Sequence, residues 1–142
     1  MIRFFDSSAI VAAYAKQADR PGVRDLLARE GVAVSRLSEV ETVSALSRLA
    51  REDAMPESSR DAAIASFLTD LDGWEIVEMT QDVTARAREV LLVHPLKASD
   101  AVQLASALVL QSRLGEPLDA FVTFDVRLLD AARRERLAVI AS

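Results

Sequence analysis

Short apolar segments alternate along the chain with longer segments in which apolar residues recur every three or four positions. The short segments have the length and the β-branched or aromatic content of buried strands, and the longer ones have the period of helices. Pro and Gly mark several of the helix starts and ends. The pattern predicts strands at 2–5, 32–35, 74–79, 119–124 and 137–140, and helices at 7–16, 21–30, 38–53, between Pro56 and Gly73, and at 81–93, 98–114 and 126–136.

Alternating strands and helices are typical of an α/β domain with a mostly parallel sheet and helices on its faces. The helix at 98–114 is apolar almost all round and is predicted to be buried. For two other helices the spacing predicts core residues: Val40, Val43, Leu46 (or Ser47) and Ala50 in the first, and Ala62, Ala63, Ile64, Phe67, Leu68 and Leu71 in the second.

Composition narrows the class of protein. A chain of 142 residues with 51% hydrophobic content is predicted to form one domain over 1–142. The absence of cysteine excludes disulfides, thiolate zinc sites and cysteine nucleophiles, and it fits a reducing cytoplasm. No apolar run reaches the roughly 18–20 residues of a membrane span, and the N-terminus lacks a secretory pattern. With a single histidine, His94, a multi-histidine metal site is excluded.

Four carboxylates stand out by their positions. Asp6 and Asp125 each follow an apolar strand, Asp100 opens the most apolar helix, and Glu41 has apolar or small neighbours on its helix. In open α/β sheets, ligands bind at the carboxyl ends of strands. Oxygen ligands without Cys or His suit Mg²⁺ or Mn²⁺ rather than Zn²⁺. Such an ion equips a site for phosphodiester hydrolysis.

Each acid also has a purely structural interpretation. The two strand-end aspartates are favoured helix N-caps. Asp100 with Gln103 forms an acceptable capping box. Glu41 could point outward towards Arg48. Taken singly, each structural alternative is at least as well supported as the functional one, and the spacing alone does not prove that the four acids converge.

The charge balance bears on possible substrates. A formal net charge of −5 argues against a surface that coats nucleic acid generally, so an enzyme acting on nucleic acid would need a local basic patch or bound cations. Candidate phosphate contacts are the basic residues Arg36, Arg48, Arg51, Lys97, Arg127, Arg133, Arg134 and Arg136. A nucleotide-binding or phosphoacceptor domain is disfavoured, because none of the four glycines follows the first strand.

Four segments of the chain, taken together and in order, resemble the PIN-domain family and, within it, the VapC-type toxins of bacterial toxin–antitoxin pairs. These segments are 5–9, 35–41 with 44–46, 95–107, and 122–125 with 128–132. The resemblance covers essentially the whole chain. It implies a single PIN domain with a Rossmann-like, mostly parallel sheet in which the first and fourth strands are neighbours.

The resemblance also implies a function. The family activity is metal-dependent endoribonuclease cleavage with Mg²⁺ or Mn²⁺, restrained by a small VapB-type antitoxin, in a protein that commonly forms homodimers. It implies that the catalytic and metal-binding residues are Asp6, Glu41, Asp100 and Asp125, with Ser8 and Thr123 lining the site. The alternative is a PIN-like module that has lost catalysis and only binds RNA or protein.

Two positions complicate the resemblance. Many relatives have His where this chain has Gln103, so the role of Gln103 is open. Glu39 lies two residues from Glu41 and is the alternative site glutamate. The register of the following Ser44, Ala45 and Leu46 favours Glu41.

Overall fold

The structure is a computed structural model, and it describes residues 1–16 and 22–140. The described helices and strands follow the predicted alternation. In chain order they are β1 (Arg3–Phe5), α1 (Ser7–Tyr14), α2 (Val23–Leu27), β2 (Val32–Ser35), α3 (Leu37–Arg51), α4 (Glu57–Leu71), β3 (Glu75–Val77), α5 (Gln81–Val93), α6 (Ala98–Leu114), β4 (Ala120–Val122), α7 (Val126–Arg134) and β5 (Val139–Ile140).

Within the described residues, five strands form one parallel sheet in the order β3-β2-β1-β4-β5. The first strand is central: Phe4 lies opposite Ala33 of β2 on one side and opposite Phe121 of β4 on the other. The strand order therefore reverses between β1 and β4, which is where α/β sheets bind ligands. The predicted Rossmann-like architecture, with its neighbouring first and fourth strands, is confirmed.

Alternation along β1 divides the core between the two faces of the sheet, because successive side chains of a strand point to opposite faces. Phe4 packs with apolar residues of α5, α6 and α7, and its ring stacks on that of Phe121 with the centroids 5.6 Å apart. Phe5 packs with apolar residues of α1, α2 and α4 on the other face. Both rings are fully buried, so β1 and the acid that follows it are held firmly from both sides.

The long apolar helix α6 is buried as predicted. Eight of its residues are buried, and it packs against α5 and the sheet. Within the residues described, no helix is long and apolar enough to cross a membrane. The eight buried residues of α6 account for its apolar character.

Helix α3 differs from the predicted packing. The residues that it buries are Ser38, Thr42, Leu46 and Ala50, whereas Val40 is 62% exposed. The reason is that α3 packs on α1, α4 and α6 through a face of small and hydroxyl residues, which a hydrophobicity pattern does not reveal. The prediction that Val40 lies in the core is wrong.

Two further expectations require correction. In α4, Phe67 and Leu71 are buried as predicted, but Leu68 and Ala62 are exposed, so the buried stripe is narrower than expected. The start predicted for the second helix, Pro21, lies outside the described residues, and the described helix ends at Leu27 rather than at residue 30.

We predict that Leu104→Ala lowers the free energy of unfolding by about 2–5 kcal/mol, because it removes a fully buried side chain from the centre of α6. The matched control is Leu92→Ala on α5, where the side chain is 89% exposed and the expected change is within about 0.5 kcal/mol. Urea denaturation of both variants measures the difference. Equal destabilisation by the two substitutions would contradict this assignment of the core.

Candidate functional site

Asp6 lies between β1 and α1, at the centre of the carboxyl edge of the sheet. It is the N-cap of α1: the backbone N–H of Ala9 donates to its Oδ1 at 3.0 Å. The hydroxyl of Ser8 lies 2.8 Å from Oδ1, and the hydroxyl of Thr123 donates to Oδ2 at 2.8 Å. Asp6 as a whole is only 2% exposed, so these donors replace the water that its carboxylate would otherwise bind.

The same two hydroxyls connect Asp6 to the end of β4. The backbone N–H of Phe124 donates to Ser8 Oγ at 3.0 Å, and the N–H of Asp125 donates to Thr123 Oγ1 at 3.1 Å. Asp125 is itself the N-cap of α7, accepting from the N–H of Leu128 at 2.9 Å. Both strand-end aspartates are therefore helix caps, as the structural interpretation predicted. Capping leaves the second oxygen of Asp125 available for another role.

Burial changes the acidity of Asp6. Desolvation raises the pKa of its carboxyl from 3.8 to about 6, against the opposing effect of the hydrogen bonds from Ala9, Ser8 and Thr123. The negative charge of Asp100 raises the pKa further, which means that Asp100 is near enough to repel Asp6. A buried acid with a perturbed pKa at a sheet edge is a candidate functional group.

Asp100 and Glu41 reach the same region from α6 and α3. Burial raises the pKa of Asp100, and the charges of Asp125 and Glu41 raise it further, whereas Lys97 lowers it. Asp100 therefore interacts electrostatically with each of the other three predicted acids. The capping-box interpretation of Asp100 is wrong, because the N-cap of α6 is Lys97 and Gln103 is bonded elsewhere.

Glu41 and Glu39 have different surroundings. Arg36 pairs with Glu39 at 2.8 Å and with Glu78 at 2.6 Å on the exposed surface. Glu41 is half-buried and accepts a hydrogen bond from Gln103 at 2.8 Å. Among the described ion pairs none joins Glu41 to Arg48, so the outward-facing alternative has no support. Of the two glutamates, Glu41 is the one that faces the other acids.

An open cavity of about 700 Å³ lies beside these acids. Its lining includes Ser8, Glu41 and Asp125 at one end and Arg48 further along α3. Glu41, Ser44, Ala45 and Arg48 line one face of α3, as residues spaced by three and four positions do. Val40 also lines the cavity, which accounts for its exposure. Two carboxylates and one guanidinium therefore line the same cavity.

The donor set fits a divalent ion in its chemistry. Four carboxylates gather without a histidine or cysteine, and their mutual repulsion is what a bound cation would relieve. As they stand, however, no three acidic or histidine side chains in residues 1–16 and 22–140 are arranged so that they could hold a metal ion. Side-chain movement would have to complete such a site.

Sequence reasoning missed the contact between Gln103 and Glu41. The signal was present, since Gln103 is a polar residue with a long side chain in the middle of the most apolar helix. A buried amide requires partners, but the sequence does not say which helix provides them. His94, by contrast, is buried and paired with Glu135 at 2.7 Å, in keeping with the structural role expected for it.

The sequence matches a family model. The model of the PIN domain aligns with residues 3–134, which is nearly the whole chain and includes all four acids. Comparison with curated protein sequences gives no match.

Several solved structures share the fold. A toxin–antitoxin complex from Klebsiella pneumoniae gives a TM-score of 0.63 at 16% identity and covers 88% of both chains. VapBC2 from Rickettsia felis, bound to a DNA fragment from its promoter, gives 0.65 at 14% identity and covers 100% of this chain and 99% of that chain. VapC20 from Mycobacterium tuberculosis, a toxin that cleaves the sarcin–ricin loop, gives 0.61 at 22% identity, covering 91% and 94%.

We predict that Asp6→Asn stabilises the metal-free protein at pH 7. Burial raises the pKa of Asp6 in the folded protein to about 6, whereas in the unfolded chain it is near 3.8. Between these pH values the unfolded chain ionises first. The wild type therefore loses stability as the pH rises from about 4 to 6, because folding then buries a charge. Asparagine carries no such charge, so its gain in stability over wild type should grow over that range to about 3 kcal/mol. Urea denaturation in EDTA across this pH range measures it.

The control for this prediction is Glu116→Gln, which removes one charge from an exposed loop. Its effect on stability should be small, because the side chain is exposed. If Asp6→Asn destabilised the protein equally at pH 4 and at pH 7, the buried charge at Asp6 would not be the cause.

Proposed function

The chain belongs to the PIN-domain family, and on that premise we propose that it is a metal-dependent endoribonuclease, the toxin of a VapBC-type pair. The observation that carries the proposal is the linkage of Asp6 to Asp125 through Ser8 and Thr123 at the reversal in strand order. Asp100, on α6, repels both of these aspartates, and Glu41, on α3, repels Asp100. Phosphodiester hydrolysis uses carboxylate groups of this kind.

The residues proposed to hold Mg²⁺ or Mn²⁺ are Asp6, Glu41, Asp100 and Asp125. When bound, such an ion supplies the positive charge that lets a phosphodiester accept a water nucleophile. Ser8 and Thr123 fix the Asp6 carboxylate by hydrogen bonds. The Leu128 N–H fixes one oxygen of Asp125 and leaves the other for ligation.

Arg48 is proposed to bind a phosphate of the RNA. It lines the cavity two helical turns beyond Glu41 on the same face of α3, so a strand whose scissile phosphate lies at the acids would run towards it. Guanidinium groups bind phosphate in a bidentate manner. This provides the local positive charge that a chain of net charge −5 needs in order to bind RNA.

A small antitoxin protein is the proposed partner. The matched structures include a toxin–antitoxin complex from Klebsiella pneumoniae and VapBC2 from Rickettsia felis, which are similar in fold to this chain. An antitoxin that covered the cavity beside Glu41 and Asp125 would keep RNA away from the acids. We further propose a homodimer and, since cysteine is absent, a reducing cytoplasmic setting.

A binding module without catalysis is the second candidate function. The observation in its favour is that no three acids in the described part of the chain stand in an arrangement that could hold a metal. The two functions differ in metal binding. Calorimetric titration of the antitoxin-free protein with Mn²⁺ therefore separates them, because the binding module should show no saturable heat.

We predict that purified protein cleaves RNA at discrete positions with Mg²⁺ or Mn²⁺, and that EDTA and Asp125→Asn each abolish cleavage. The matched control is Asp119→Asn. Asp119 precedes β4 and pairs with Arg3 at 3.2 Å, whereas Asp125 follows the same strand, so the two lie at opposite ends of the sheet. Asp119→Asn should retain activity. Cleavage that persisted in EDTA or in Asp125→Asn would exclude the proposed mechanism.

We also predict that Arg48→Ala raises KM for RNA several-fold with a smaller effect on kcat, because it removes a contact to phosphate rather than a group at the reacting atoms. Arg51→Ala is the control: it removes the same charge from α3 at an exposed position outside the cavity lining. Steady-state cleavage of a short RNA measures both. Equal effects of the two variants would assign the loss to net charge alone.

A further inference from the structure

Gln103 is the polar side chain that joins α6 to α3 beneath the acids. It is 1% exposed and is surrounded on its helix by buried apolar residues such as Leu104 and Ala101. It lies one turn after Asp100, on the same side of α6, because residues three apart on a helix are neighbours. A buried amide in such surroundings is unfavourable unless its hydrogen bonds are made.

Both N–H groups of the Gln103 amide are used. Nε2 donates to Ser38 Oγ at 2.9 Å and to Glu41 Oε1 at 2.8 Å. An ionised carboxylate can only accept, so the nitrogen end of the amide must face Glu41. The contact with Glu41 therefore fixes which way the amide points.

This orientation has a consequence for the other end of the amide. Gln103 Oε1 is buried and has no hydrogen-bond partner among the described residues. An unpaired buried carbonyl is destabilising, and an apolar residue of similar size would avoid it. Core stability alone therefore does not account for glutamine at this position, whereas the bond to Glu41 does. Local departures from optimal packing of this kind are expected at functional sites.

Glu41 needs a restraint of this kind. It is half-buried on α3 beside the open cavity, and its charge repels Asp100. Without a partner, a flexible glutamate repelled by a neighbouring acid would turn away into the cavity, along the face of α3 that carries Arg48. The Gln103 amide opposes that movement. Because the amide is neutral, it holds the carboxylate without cancelling the negative charge that would attract a cation.

We propose that Gln103 is a positioning residue that holds the Glu41 carboxylate at the acidic site through a hydrogen bond from its side-chain amide. This inference rests on the proposed function, since it gives Gln103 a task only if the acids bind a metal ion. Gln103 acts through Glu41 and does not itself contact the reacting atoms. Residues that orient metal ligands in this way typically contribute 10- to 100-fold in affinity or activity, by order of magnitude.

The test is Gln103→Met, which keeps the approximate shape of the side chain and removes the donor. Calorimetric titration with Mn²⁺ should show affinity weakened by roughly 10- to 100-fold. In RNA cleavage, the Mn²⁺ concentration for half-maximal activity should rise while KM for RNA is unchanged. The control is Ser38→Ala, which removes the other partner of Nε2 and leaves the bond to Glu41. Unchanged Mn²⁺ affinity in a folded Gln103→Met protein would overturn the inference.

A double-mutant comparison separates positioning from a general structural role. If Gln103 acts through Glu41, then adding Gln103→Met to Glu41→Ala should cause no further loss of Mn²⁺ affinity. A purely structural defect would lower affinity by the same factor in either background. Losses that multiply would therefore count against positioning.

The hydrogen bond between Gln103 and Glu41 can also be tested in the metal-free protein, independently of metal binding and RNA cleavage. The side-chain NH₂ resonances of Gln103 should shift, and their exchange with water should accelerate, when Glu41 is replaced by alanine, because the acceptor is lost. Unchanged resonances would overturn positioning even if Gln103→Met failed to fold. If wild type bound no Mn²⁺ and cleaved no RNA while the resonances did shift, the hydrogen bond would stand and the proposed function would fail.

Discussion

The structure around the candidate site depends on the burial of one ionisable group, Asp6, where β1 meets α1. Its carboxylate is almost wholly withdrawn from water, and two hydroxyls and a backbone N–H take the place of that water. The same hydroxyls receive the N–H groups that follow β4, so a single hydrogen-bonded unit joins the two strands at the reversal in their order. The position of the Asp125 backbone is therefore linked to that of the Asp6 carboxylate through these hydrogen bonds.

The residues around this hydrogen-bonded unit concentrate negative charge at the sheet edge, although doing so lowers the stability of the fold. Asp100 is repelled by the other three carboxylates at one edge of the sheet, and burial adds to the unfavourable energy of the ionised forms of Asp6 and Asp100. Neutral donors, namely the Ser8 and Thr123 hydroxyls and the Gln103 amide, hold two of these acids without neutralising them. A bound cation would relieve this repulsion, and this is how the fold supports the proposed chemistry.

Much of this arrangement was predictable from local patterns. The alternation of strands and helices predicted the parallel sheet. The apolar content of residues 98–114 predicted the buried helix. The positions of Asp6 and Asp125 between a strand and a helix predicted both helix caps. Helix α3 was predicted less well. Its buried face consists of Ser38 and Thr42 as well as Leu46, and hydroxyl residues carry no hydrophobic signal, so Val40 was placed in the core although it lines the cavity.

The sequence by itself determined the elements, the family resemblance and the identity of the candidate acids, because each of these depends on residue type and short-range spacing. Only the tertiary structure decided which groups touch. Ser8 reaches Thr123 and Gln103 reaches Glu41 across 115 and 62 positions of the chain. Contacts between residues so far apart in the chain depend on the order of the strands and on the packing of α3 on α6. The direction in which a buried amide or hydroxyl points depends on its partners in the fold, and no local sequence pattern encodes it.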